Sequence, residues 1–166
     1  MRAHSSFDRP EPRLVLTGEH PLWDEALVAL NRDLAVTLPG QRPLRLLALP
    51  PWEEGEPEQL YVALTPREWH GQPLGLDSDT STAALLAVAE AAQDTVTERA
   101  WQAWPVCAVH DLGMHVREVD GRPSWWCAGR AAPQDPPHVR AAIGELDTLQ
   151  RPNRPNRKRR KKRWRD

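Results

Sequence analysis

Two cysteines and a histidine are the residues of this chain best suited to chemistry. Cys107 and His110 form a Cys-x-x-His pair, and sixteen residues then separate His110 from Cys127. Thiolate sulfur and imidazole nitrogen are both zinc ligands, and a two-residue gap lets one turn present them to a single ion. The same pair could serve as a nucleophilic thiol with an adjacent base, since a neighbouring histidine favours the thiolate. A third reading is a packed hairpin in which each free cysteine fills space as a small apolar side chain. A Cys107–Cys127 disulfide is arithmetically possible, but in a reducing compartment thiols or metal ligands are the commoner state.

The stretch WPVCAVHDLGMHVREVDGRPSWWCAG (104–129) resembles a zinc ribbon over residues 104–130. In that family two ligand pairs at the ends of a hairpin converge on one tetrahedral ion. The resemblance implies a second pair beginning at Cys127, but position 130 is arginine, a permanently charged side chain that cannot ligate zinc. Asp111, His115, Asp135 and His138 are the candidates for a fourth ligand. The expectation is therefore a degenerate ribbon in which Cys107, His110 and Cys127 are the metal residues and less than one equivalent of zinc is held. The order WP-x-C-x-x-H followed by WWC, with the richness in Ala, Arg and Pro, is also similar to small proteins of high-GC actinobacteria. That similarity carries no activity and implies a bacterial cytoplasm.

Charge is divided unevenly along the chain. Ten of the 22 Lys and Arg residues fall in 151–166 with one Asp, so residues 1–150 hold twelve basic against twenty-two acidic residues. A basic, proline-containing tail on an acidic body can neutralise phosphates with little sequence preference. Arg157, Lys158, Arg159, Arg160, Lys161, Lys162, Arg163 and Arg165 are its nucleic-acid candidates, and Trp164 among them could stack on an unpaired base. No run of eighteen apolar residues is present and the first thirteen residues lack a signal-peptide core, so a soluble cytoplasmic protein without membrane contact is expected.

The elements that must position these groups follow from periodicity. Residues 1–12 and 150–166 read as disordered, leaving one domain over 13–149. RLVLTG reads as a short strand, and Trp23, Leu27, Leu30 and Leu34 recur at helical spacing until Pro39-Gly40. LRLLALP and QLYVALT form a hairpin across PWEEGEPE. Asp79, Thr80 and Ser81 offer N-caps to a long helix that ends by delivering Trp101 and Trp104 to the core. GMHVREV and SWWCA pair across Asp120-Gly121, with Trp125 and Trp126 on opposite faces. DPPHVRAAIGELDTL reads as a closing helix with Val139, Ala142, Ile143 and Leu146 inward.

The expected fold is α+β: a single small domain with two β-hairpins, about three helices and disordered termini. No P-loop, dinucleotide turn, Gly-x-Ser-x-Gly or His-Glu-x-x-His occurs. The expected function is therefore a non-enzymatic binding protein that associates with nucleic acid or a ribonucleoprotein through its tail. The alternative is an accessory protein that binds a protein partner through its acidic, Trp-bearing body, and an enzyme is least favoured. No cofactor is required by this reading, with zinc as the one possible addition.

Overall fold

Thr80 starts the longer of two α-helices. Its hydroxyl accepts the Ala83 backbone N–H at 3.1 Å, satisfying a donor that a helix N-terminus leaves open. The computed structural model describes residues 11–130 and 132–148. This helix, α2, spans Ser81–Ala100, and its alanine-rich face packs against α1, which spans Pro21–Thr37. Trp23, Leu27, Leu30 and Leu34 on α1 meet Ala84, Val88, Ala92 and Val96 on α2 in one apolar core. The small side chains of α2 let the two backbones approach closely.

Strands β1 (Arg13–Leu14), β2 (Arg45–Leu49), β3 (Gln59–Thr65) and β4 (Glu68–Trp69) form an antiparallel sheet in that order. Leu46, Ala48, Leu60, Val62 and Leu64 contribute alternate residues of β2 and β3 to the same core. Thr95 fastens α2 to this sheet: its buried hydroxyl donates to the Val62 carbonyl at 2.9 Å and accepts the His70 backbone N–H at 3.1 Å.

The C-terminal part of the domain is built from β5 (Val106–Cys107) paired with β6 (Leu112–Gly113), and from a three-stranded antiparallel sheet of β7 (His115–Val119), β8 (Arg122–Cys127) and β9 (His138–Ala142). The β7–β8 turn is made by Asp120 and Gly121, both at positive φ, as a tight two-residue hairpin requires. Trp125 is fully buried while Trp126 faces outward under the Arg117 guanidinium, 3.7 Å from the ring centroid. A 3-10 turn at Leu146–Thr148 follows.

Buried and part-buried hydrogen bonds join these parts. Trp125 Nε1 donates to Asp33 Oδ2 on α1 at 2.7 Å, and the Gly144 and Leu146 backbone N–H groups donate to the same carboxylate at 2.6 and 2.9 Å. Trp104 packs edge-on against Trp125 and donates to Thr37 Oγ1 at 2.8 Å. Gln93 on α2 donates to the carbonyls of Trp104 and Met114, at the two ends of the β5–β6 loop. That loop is thus braced from behind by α2.

The sequence reading needs two corrections here. No closing helix forms over 136–149 within the described residues: His138–Ala142 is a strand, because β8 would otherwise leave an unpaired edge and Gly144, at φ +91°, breaks a helical path. The described residues therefore contain two α-helices rather than about three. Second, α2 stops at Ala100, and Trp101 caps it in the left-handed region with 89% of its surface exposed, whereas Trp104 is buried as expected. Trp104→Ala should consequently lose about 3–5 kcal/mol, and Trp101→Ala should stay within about 1 kcal/mol of the parent protein in denaturant unfolding. Equal losses would mean that Trp101 packs in solution.

Candidate metal centre

Cys107 ends β5 and begins a tight turn. The Asp111 N–H donates to the Cys107 carbonyl at 2.8 Å, and Asp111 closes the turn at φ +57°. Within it the backbone N–H groups of Val109 and His110 are directed at the Cys107 sulfur. The arrangement holds a sulfur and the His110 imidazole on one side of the turn. Cys127, at the end of β8, accepts the Gly129 N–H in the same manner. Opposite it in the β8–β9 register sits His138.

These elements bring Cys107, His110, Cys127 and His138 together, with one ligand atom of each within 4.8 Å of all the others. Cys107 Sγ is 3.6 Å from His110 Nδ1 and 3.8 Å from His138 Nε2, and Cys127 Sγ is 3.4 Å from His110 Nδ1. A tetrahedron with zinc–sulfur bonds of about 2.3 Å and zinc–nitrogen bonds of about 2.0–2.1 Å has sulfur–nitrogen edges of about 3.5–3.6 Å. The three separations straddle that edge. Both sulfurs are buried, and the group could hold a metal ion.

The outer partners fix the ring orientations. His110 Nε2 is 2.6 Å from Asp135 Oδ1, and His138 Nδ1 is 3.4 Å from the Pro136 carbonyl. Each contact places a proton on the nitrogen that faces away from the cluster and leaves the other nitrogen free to ligate, the arrangement common to metal-bound histidines. Burial pushes the Cys107 thiol up, but the backbone N–H groups of His110 and Val109, with the two imidazoles, outweigh it and bring the thiol down to about 6. Cys127 moves the other way: its burial and the adjacent Cys107 outweigh the single Gly129 N–H and raise it.

All three metal residues expected from the sequence converge. Arg130 is exposed and takes no part, and the fourth member of the group is instead His138 on β9. The reason for expecting a three-ligand, degenerate site is thereby removed. Of the other candidates, Asp135 supports His110 from outside the cluster, while Asp111 and His115 are exposed and lie outside it. The tail residues Arg157 to Arg165 lie outside the described residues.

Gly129 makes the site possible. At φ +66° it passes so close to the 135–136 backbone that a Cβ would stand 2.5 Å from the Asp135 carbonyl oxygen. Gly129→Ala should displace the Asp135 loop and weaken metal binding by about the 10- to 100-fold associated with loss of an outer partner, measured by competition with a chelator. Unchanged affinity would show that the loop can move without disturbing His110.

Compared with protein-family models, curated proteins and solved structures, the chain matches none. Among the described residues no helix is long and apolar enough to cross a membrane.

Proposed function

We propose that this chain is a zinc-stapled binding protein whose Cys107, His110, Cys127 and His138 form a closed structural site. The observation that carries the reading is the convergence of two sulfurs and two imidazole nitrogens at tetrahedral separations. Four protein ligands leave no position for a water or substrate, which separates a structural zinc from a catalytic one. The ion would join the β5 turn to the β8–β9 pair, two segments separated in sequence by β6 and β7. The zinc-ribbon resemblance fits this role with the fourth ligand moved from position 130 to 138.

Cobalt(II) substitution tests it. One equivalent added to the metal-free full chain under reducing conditions should give the intense visible bands of a tetrahedral ion with sulfur-to-cobalt charge transfer, and zinc should displace it. The weak spectrum of an octahedral, water-rich ion would refute a closed site.

A second reading concerns the partner. Ten cationic residues against one acidic residue in 151–166, beside a body with an excess of acids, support association with nucleic acid through Arg157–Arg165. Zinc then keeps the body folded while the tail supplies electrostatic attraction.

A further inference from the structure

Away from the metal centre, the end of α2 carries a feature that packing does not explain. Trp101 caps the helix at φ 54°, ψ 30°, a left-handed conformation for which glycine is the usual residue and a bulky side chain is strained. Its indole is 89% exposed. The position thus combines a strained backbone with an unburied aromatic ring, and neither favours the fold. Strained, exposed side chains of this kind point to a role outside the molecule.

Trp101 lines a cleft with Trp69 of β4, which rests on Tyr61 at a 4.4 Å centroid separation and is itself 37% exposed. An adjoining cleft of about 490 Å³ shares Arg67, Glu68 and Arg99 with the first and adds Arg42. Glu68 is engaged by Arg99 at 2.8 Å, and Glu98 is the other acid of the cleft. The side chains of Arg42 and Arg67 are exposed and have no partner among the described residues. Two unpaired guanidinium groups beside two exposed indoles stand out on a body that is acidic as a whole.

We propose that this combined cleft docks single-stranded nucleic acid, with Trp101 and Trp69 stacking on bases and Arg42 and Arg67 taking the neighbouring phosphates. Stacking needs unpaired bases, and Arg67 lines the same cleft as the two indoles while Arg42 lines the adjoining one; a phosphopeptide would use the arginines and leave the indoles idle. The class of partner rests on the reading given above for Arg157–Arg165, but the residues are different, and the two can fail separately.

The test is fluorescence anisotropy of the full chain with a short fluorescein-labelled oligothymidylate over a salt series. Trp101→Gly relieves the strained backbone and keeps the fold; it should weaken binding about tenfold without altering the salt slope. Arg42→Gln with Arg67→Gln should reduce that slope by about 1.4, or about 0.7 for each phosphate contact. A chain with the cations of 157–165 replaced by glutamine should bind more weakly, and Trp101→Gly should remove what remains. Binding that ignores both Trp101→Gly and the arginine pair would overturn the cleft while leaving the tail reading intact. Loss of all binding on neutralising the tail would also overturn it. A full chain that ignores the oligonucleotide at low salt would overturn both.

Discussion

Cys127→Ser is expected to abolish tight zinc binding and to destabilise the domain by about 4 kcal/mol or more. Structural zinc sites bind with about 10–16 kcal/mol, and because the unfolded chain holds no preformed site that energy is coupled to folding. A metal present at about a thousandfold above its dissociation constant stabilises by about 4.1 kcal/mol, which sets the scale of the loss. The damage should also spread beyond the site. Cys127 stands opposite His138, and the neighbouring Trp125 is the ring through which β8 reaches both Trp104 and Asp33. Tryptophan fluorescence in denaturant, with and without a chelator, measures this effect. Asp135→Asn provides the comparison: it removes a charge from the support of His110 but no ligand, so affinity should fall about 10- to 100-fold with the fold retained in excess zinc. A Cys127→Ser protein as stable as its parent in excess zinc would remove the structural role.

Asp33→Ala should have a comparable effect by a different route. The carboxylate is fully buried and accepts from Trp125 Nε1 and from the Gly144 and Leu146 N–H groups, so alanine leaves three buried donors without an acceptor. A loss of about 3–5 kcal/mol is expected, as for removal of one partner from a buried charged network. Asp33→Asn should lose less, since one amide oxygen can still accept. Burial pushes the Asp33 carboxyl above its ordinary value despite the three donors. The folded state therefore binds the proton more tightly than the unfolded state, and the contribution of Asp33 to stability declines as pH rises from its ordinary value of 3.8 through its folded pKa. The disadvantage of Asp33→Asn should thus shrink over that window. Subtracting the two proteins' unfolding free energies at each pH separates the Asp33 contribution from the titration of the metal ligands, and a constant difference would contradict it.

Where one period prevails, the sequence shows the fold well. The α1 stripe of Trp23, Leu27, Leu30 and Leu34, the β2–β3 hairpin, the Thr80 cap and the Asp120-Gly121 turn all stand where local rules put them. His138 is hidden by an accident of spacing. Val139, Ala142, Ile143 and Leu146 fall at intervals of three and four, and the Pro136-Pro137 pair reads as a helix start, so a strand that completes a sheet looks like an amphipathic helix. Only the neighbouring strand, which alternation cannot reveal, decides between them. Gly144 was the available warning, since its left-handed backbone, packed against Ala29, suits no helix interior. Asp33 left a clearer mark. It stands three residues after Leu30 and just before Leu34, so it lies on the apolar stripe, where a charge requires buried partners. Trp101 misleads because helical spacing continues to Trp104, while only Pro105, which disfavours helix in the residue before it, signals the end.

The most direct test of the metal centre is the zinc content of the full chain, expressed without added metal and purified under reducing conditions, determined by native mass spectrometry beside elemental analysis. One zinc per chain is predicted, absent from Cys107→Ser and His138→Ala and retained by an alanine substitution at the exposed Arg130. A folded, zinc-free protein whose unfolding midpoint moves with neither chelator nor added zinc would contradict the account.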